Sequence, residues 1–543
     1  MIMSQLSHKY RTFDGMLNAG YPRTQARELW QPNDLAHIIE EQLGVKIKKG
    51  DEDNPFKIYH EDVYRYEFRM VDEEDPITGA IKKVRRKVPV EKIHDGVDWT
   101  GEWSDDMITY MLEDIHYLEP AYEELESKLI ADGQERAMWI ENNTVFAVAW
   151  MTYNGILPDV EAWKAFLGDK DSGQIAEHNH LMWHLKKAFP QVHNFNSPAQ
   201  VQKALTEYLG APIANTRKET LKQLAPHYPK IALLRDERRL GKRIDNWGYK
   251  FLRNAVCKYP GCGRFHPDWR QIGAETARFS CSNPNLQQIP REAEYRKLFI
   301  APENYWLCSL DYNAIEVLVA AIFSGCNNLI EACATGNPHG ATAAMSLGLS
   351  FEEWQKLDDT TRRDTRQNAK IVNFGQLFGG GVQGFIIQAR DLFDVIYTEE
   401  QARDIISVYY SMYPELKKSK NWAYRAMDIP GPVEVRTMTG FRRILERWNR
   451  KPTSWLNTII QSSAGHGIKS SFRLMMEHGL LPYLCLQVHD ELVFQFPDRL
   501  KSGETHHDLA EVAKYCMVKG MQEVLGPKAP VGVEPKAGKV WLK

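Results

Sequence analysis

The chain has 543 residues, 43% of them hydrophobic, 11% aromatic and 26% charged, with a net charge of −3. Its longest apolar runs fall short of the ~18 residues of a membrane span, its polar start MIMSQLSHKYRTF is no signal peptide, and its eight cysteines all lie beyond position 256. These features exclude a membrane-spanning chain, a secreted disulfide scaffold and a protein that coats itself in nucleic acid by bulk charge; a cytoplasmic, reducing setting is expected.

Residues 1–120 are polar, Trp- and acid-rich, and close on the helical pattern SDDMITYMLEDIHYLEPAYEELESKL. Tyr110 and Asp114 stand four apart there, which puts a hydroxyl and a carboxylate on one helix face, although ordinary helix surface explains the pair equally well. The DEE triplet at 72–74 reads as part of a polar turn. Residues 120–185 read as helical, and about 197–250 as a second helical stretch that opens on the cap-like NSPAQVQKALTEYLG and closes on the basic RRLGKR segment. CKYPGCGRFH (257–266) offers Cys257, Cys262 and His266 as zinc ligands, but irregular spacing and the want of a fourth ligand favour a Gly-Pro turn with free thiols.

Short strands follow to about 310. In YWLCSLDYNAIEVLVAAI (305–322) a strand ends at Asp311 and a helix begins, so Asp311 is either that helix's N-cap or half of a metal site. The block 314–430 is mostly helical. In RRDTRQNAKIVNFGQLFGGG (362–381), Arg366, Lys370, Phe374 and Phe378 recur every four residues. Two cations followed by two rings on one face suit a triphosphate followed by sugar and base, and a solvated amphipathic helix is the alternative. SSAGHGIKSSF (462–472) reads as a helix packed closely through small residues. In LQVHDELVFQF (486–496), Asp490 and Glu491 interrupt an apolar run where a hairpin turns. A carboxylate buried there costs several kcal/mol unless it is paired, protonated or metal-bound. Asp311 is the natural partner, and a sheet split by a helical insertion brings the two together.

Together these stretches resemble the family A DNA polymerases. DYNAIE (311–316), RQNAKIVNFGQLFG (366–379) and QVHDE (487–491) match that family's three polymerase motifs in order and spacing, and GAETARFSCSNPNLQQIP, NPHGATAA and YYSMYPELKK match further landmarks. The resemblance spans about 120–543 and implies an α+β, multidomain right-hand fold. Its implied parts are a helical connection and palm entry over 121–185, a thumb over 186–260, palm over 261–324 and 441–543, and fingers over 325–440. It implies a DNA-directed DNA polymerase using primer-template DNA, dNTPs and two Mg²⁺ ions, with Mn²⁺ as a substitute. Asp311, the Tyr312 position and Asp490 are implied as metal ligands, with Glu491 beside them as a catalytic but dispensable acid. Arg366, Lys370 and His339 would meet the triphosphate, Lys370 doubling as general acid. Phe374, Phe378 and Glu316 would meet the sugar and base. Arg278, Asn285, Gln287, Asn457, Gln461 and His489 would face the DNA. Thr453 stands where the family usually has an arginine near the duplex, and Arg442 and Arg443 would take over that role.

The first 120 residues resemble the later part of a 3′–5′ exonuclease domain of the RNase H-like kind, with Tyr110 and Asp114 as its last motif and its earlier D-x-E pair missing. The implied exonuclease is inactive in the isolated chain, or completed by a separate polypeptide. A compact polymerase with a clipped exonuclease resembles phage-encoded enzymes. The rival readings are a single-subunit RNA polymerase, a metal-dependent nuclease, and a non-catalytic DNA-binding protein with a dead palm.

Overall fold

A computed structural model describes residues 35–45, 63–74, 81–94, 105–257, 262–393 and 395–542. Helix α1 (Leu35–Leu43) precedes an antiparallel hairpin of β1 (Val63–Glu74) and β2 (Ile81–His94). Asp72 and Glu73 stand opposite Lys83 and Lys82 in that register. The DEE triplet therefore lies in a strand rather than in the expected turn. Helices α2 (Asp105–His116), α3 (Leu118–Ala131) and α4 (Glu135–Asn154) follow. Tyr110 and Asp114 fall within α2, but their side chains lie outside the described residues.

α5 (Val160–Leu167) starts at Asp159, whose carboxylate accepts from the Ala162 amide. A helical unit of α6 (Gly173–Ala188), α7 (Pro198–Leu209), α8 (Lys218–Leu224) and α9 (Pro229–Trp247) has its own core of Leu185, Phe189, Val201, Leu205, Ile231 and Leu234. The basic RDERRLGKR lies on α9, and α10 (Tyr249–Cys257) returns the chain to the centre of the molecule. Strands β3 (Asp268–Arg270) and β4 (Ser280–Ser282) pair, and the short helix α11 (Ala293–Arg296) leads into the main sheet.

That sheet opens with β5 (Tyr305–Tyr312). A helical block interrupts it: α12 (Ile315–Ser324), α13 (Asn327–Ala334), α14 (Pro338–Ser346), α15 (Phe351–Gln355), α16 (Asp359–Leu377), α17 (Val382–Phe393), α18 (Glu399–Met412) and α19 (Pro414–Ala426). A small hairpin of β6 (Val433–Arg436) and β7 (Arg442–Leu445) comes next, then the long helix α20 (Pro452–Glu477). The sheet resumes with β8 (Leu484–Val488) and β9 (Glu491–Pro497), and after α21 (His506–Leu525) with β10 (Val533–Gly538). Its order is β10-β5-β9-β8, antiparallel throughout. The split sheet agrees with the sequence reading. The strand-like character expected of the last hundred residues does not, since α20 and α21 occupy much of that stretch.

The sheet is sandwiched between two cores, which explains why its strands read as apolar runs. Cys308, Leu310, Leu492, Phe494 and Phe496 face one core, with α12, α20 and α21, while Leu307, Leu486 and Val493 face the other, with Trp163, Phe265, Phe299 and Trp541. α20 and α21 touch through small residues: a Cβ on Gly467 would stand 2.1 Å from the Met521 sulfur, and one on Gly520 would stand 2.4 Å from the Ser471 Cα. Among the described residues no helix is long and apolar enough to cross a membrane.

Ala314, the residue before α12, sits in the left-handed region at φ 46° and ψ 44°. An alanine there costs about 1–2 kcal/mol, more than the entropy a glycine loses on folding. Ala314→Gly is therefore expected to stabilise the protein by about 0.5–1 kcal/mol, read as a higher urea midpoint.

Candidate active site

β8 and β9 are joined by the two residues His489 and Asp490, between the paired Val488 and Glu491. His489 has φ +57°, so the turn raises Asp490 at its tip at the cost of a strained backbone. Gln487 donates to the His489 carbonyl, and Gln287 Nε2 donates to Gln487 Oε1 at 2.8 Å, bracing the hairpin from the segment after β4. On the neighbouring strand Asp311 pairs in register with Glu491, and the Tyr312 amide donates to the Asp490 carbonyl at 3.2 Å. The two aspartates, 179 positions apart in sequence, thus share one end of the sheet. Asp311 does not cap α12, which begins only at Ile315 with Ala314 before it.

The Asp490 side chain is 29% exposed, but its Oδ1 is out of solvent and makes no hydrogen bond among the described residues. Burial, with the negative charges of Glu316 and Asp311, pushes its carboxyl up to about 6 against the pull of Arg278 and Arg291. A partly buried, under-satisfied carboxylate beside a second one is a donor set that suits a hard divalent cation. The Tyr312 side chain is not part of it: its hydroxyl is buried and donates to the Met517 carbonyl at 2.8 Å, leaving only the backbone as a ligand at that position.

Glu491 requires a correction. Its carboxylate is fully buried and accepts from Arg296 Nη1 at 3.0 and 2.9 Å and from Trp541 Nε1 at 2.6 Å. The Arg296 guanidinium also lies 4.1 Å over the Trp541 ring. A carboxylate satisfied this fully holds the sheet to α11 and the C-terminal segment, and is a structural rather than a catalytic acid.

Arg278 links the pieces. Its Nη2 lies 2.5 Å from Glu316 Oε1 and 3.8 Å from Asp490 Oδ1. The loop that carries it is fixed by a charged knot with no solvent contact. Lys469 Nζ donates to Glu141 Oε1 at 2.5 Å and to the carbonyls of Gln271 and Ala277 at 3.0 and 2.7 Å, Ala277 itself being left-handed at φ 54°. His466 Nε2 lies 3.2 Å from the same Glu141 oxygen. Burial drives the Glu141 carboxyl upward, but Lys469 and His466 outweigh it and hold Glu141 down at about 2. Sequence reasoning missed this knot because its partners sit 328 residues apart and neither has a local signature.

α16 is N-capped by Asp358, whose carboxylate accepts from the Thr361 amide at 3.0 Å. Arg366 is exposed, Lys370 and Phe374 are half-buried, and the opposite face (Ile371, Val372, Gly375) is buried, so this part of the four-residue repeat is an open face, whereas Phe378, just past the end of the helix, packs against the main core. Arg366 Nε donates to Asn337 Oδ1 at 3.0 Å. The Phe374 ring centroid lies 5.7 Å from that of His339, on α14. Burial, then Arg366 and Arg291, lowers the Lys370 pKa. Arg291 is near enough to both Asp490 and Lys370 for its charge to act on each, and the sequence reading missed it.

The remaining expected contacts are dispersed around this centre. Arg278, Gln287 and His489 line one small cleft of about 60 Å³. Asn285 lines a separate groove with Asp245 and Lys250, between the α6–α10 helices and the β3–β4 segment. Asn457 and Gln461 lie one turn apart on α20, both half-buried. Arg442 Nη1 lies 3.2 Å from Asp132 Oδ1, and Arg443 pairs with Glu275 and donates to Thr458 Oγ1 at 2.8 Å. Each arginine has an acidic neighbour within the protein, Arg442 sharing Asp132 with Arg436. Cys262 Sγ lies 2.9 Å from His266 Nε2, while the Cys257 side chain falls outside the described residues. Among the described residues no group of three His, Cys, Asp or Glu side chains forms a metal cluster.

The model of DNA polymerase family A matches residues 170–543. DNA polymerase I of Lactococcus lactis subsp. lactis is 29% identical over 373 residues, 64% of this chain and 40% of the relative. The thermostable DNA polymerase I of Thermus thermophilus is 28% identical over 472 residues, 81% of this chain and 52% of the relative. The chain thus spans about half, or less, of the length of these curated relatives. Among solved structures, the POL domain of Pol1 from M. smegmatis, in complex with DNA primer-template and dNTP, superposes with a TM-score of 0.64 at 23% identity, covering 81% of this chain and 77% of that one.

Proposed function

The chain belongs to DNA polymerase family A, and on that premise we propose that it performs template-directed DNA synthesis, joining a deoxynucleotide from a dNTP to a primer 3′-hydroxyl. One observation carries the reading: Asp311 and Asp490 meet at one end of the sheet, and the charge of Arg291 reaches both Asp490 and Lys370 of α16.

Asp311, Asp490 and the Tyr312 backbone carbonyl would hold a pair of Mg²⁺ ions, or Mn²⁺ in their place. When bound, such ions make the primer hydroxyl more acidic and neutralise charge on the transferring phosphoryl group. Arg366 and Lys370 reach for the triphosphate, and Asn337 holds the Arg366 guanidinium in place beforehand. Lys370, its ammonium made more acidic by burial and by Arg366, is poised to give a proton to the departing pyrophosphate. Phe374 offers a ring to the nucleoside. Glu316, fixed by Arg278, narrows the space beside the sugar.

Removing divalent ions with a chelator is expected to stop primer extension, and adding Mg²⁺ to restore it; extension that persists in chelator would reject the two-aspartate site. Comparing dNTPs with NTPs on one primed template separates this reading from an RNA polymerase. Position 378 is phenylalanine where most of the family has tyrosine, so Phe378→Tyr, which returns one hydroxyl beside the sugar, is expected to cut ribonucleotide incorporation by about tenfold or less, the worth of one hydrogen bond. The isolated chain is expected to leave a labelled single strand intact, and its degradation would revive the nuclease reading. A separate polypeptide that completes an exonuclease around α2 would appear as nuclease activity gained on mixing.

A further inference from the structure

His339 lies on α14, and its ring is buried behind the Arg366–Lys370 face of α16. Its Nδ1 lies 3.0 Å from Asn373 Nδ2, on the inner face of α16. The orientation of that amide is set by its other neighbours. The Tyr409 hydroxyl, wholly buried on α18, donates to Asn373 Oδ1 at 3.1 Å, the one bond that hydroxyl makes among the described residues. On the other side, Thr342 Oγ1 lies 2.8 Å from the Pro338 carbonyl and 2.9 Å from the Tyr413 hydroxyl, either of which takes its single proton, so toward Asn373 Nδ2 (3.2 Å) it is an acceptor. Turning the amide over would strand the Tyr409 proton and set Asn373 Oδ1 against an oxygen whose proton is already used. Asn373 therefore presents N–H to His339, and Nδ1 of the imidazole is left as an acceptor.

We infer that Asn373 is a positioning residue: it locks His339 as the imidazole protonated on Nε2 alone, leaving that N–H free to donate to a phosphate held by Arg366 and Lys370. This deepens the polymerase reading and rests on it. A second observation agrees. Burial, then Arg366 and Lys370, lowers His339 to about 4, so the ring stays neutral through the physiological range. The charged groups acting on it, both from α16, are cations. The phenols of Tyr409, on α18, and Tyr413, between α18 and α19, reach the same network and are held protonated by burial. A neutral donor suits this place because its hydrogen bond survives small changes of pH, whereas an imidazolium beside two cations would lose its proton.

The test is ¹⁵N spectroscopy of the full chain with labelled histidine, the His339 signals being assigned from their loss in His339→Gln. In the unmutated protein, Nδ1 is expected in the unprotonated range and Nε2 in the protonated range, both constant from pH 8 to about 5.5. Asn373→Asp, which replaces the donor with an acceptor, is expected to move a proton onto Nδ1, bring a titration into that pH range, and raise the dNTP KM by about tenfold with a smaller change in kcat. Tyr409→Phe, which keeps Asn373 and His339 but frees the amide to turn, is expected to give mixed tautomers. A proton on Nδ1 in the unmutated protein, a titration near the ordinary histidine value, or an Asn373→Asp spectrum identical to the parent's would overturn the inference. Failure of the polymerase reading shows elsewhere, as unmutated protein that does not extend a primer while its His339 spectrum is as described.

Discussion

Asp490→Asn is expected to reduce primer extension by about a thousandfold or more, the loss of several kcal/mol of charge stabilisation at the reacting phosphate, while leaving primer-template binding nearly unchanged. The same change is expected to stabilise the ion-free protein by about 1–2 kcal/mol, because burial and the charges of Glu316 and Asp311 oppose a carboxylate at this position, and an amide removes the repulsion without changing the shape. Mg²⁺ is expected to raise the unfolding midpoint of the parent and not of the variant, since an ion stabilises only the state that binds it. Parallel urea titrations with and without Mg²⁺, alongside extension and DNA-binding assays, check all of this. Loss of stability together with activity would make Asp490 a folding residue instead.

The second large effect is expected at the buried knot. Glu141→Ala leaves the Lys469 ammonium with no carboxylate in an interior that excludes water, and is expected to destabilise the protein by about 3–5 kcal/mol. Exchanging both partners for leucine is expected to recover much of that loss, because two apolar side chains remove both desolvated charges. Activity is expected to recover less than stability. Lys469 also holds the carbonyls of Gln271 and Ala277 on either side of the loop that delivers Arg278 to Glu316, and leucine cannot. The sign of the pH effect follows from the depressed Glu141. Its folded-state value of about 2 lies below the ordinary 4.5, so the stability it supplies is complete above about pH 4.5 and is lost as pH falls toward 2. Glu141→Gln is expected to flatten that part of the acid-unfolding curve.

The site was legible in sequence where its parts are local. β5 ends at Asp311, the β8–β9 turn is only two residues long, and the cation-and-ring face of α16 repeats every four residues, so each can be recognised from a short window. Glu491 was misread for the opposite reason. Its two partners, Arg296 and Trp541, lie 195 and 50 positions away, and nothing in QVHDE distinguishes an acid facing the cleft from one clamped behind the sheet. Arg442 and Arg443 stand in a basic stretch whose acidic neighbours, Asp132 and Glu275, come from distant segments and leave no local sign. Long-range charge pairing is the common term.

The central claim is that two strand-end carboxylates and a cationic helix face form one centre that copies a template. Four extension reactions on a primed template, each with a single dNTP, Mg²⁺ and the isolated chain, test it most directly. Growth by one nucleotide only in the tube whose base complements the template, and in none when Asp311→Asn replaces the parent, is the predicted result. Growth regardless of the template base, growth with NTPs in preference to dNTPs, or no growth by the parent would contradict it.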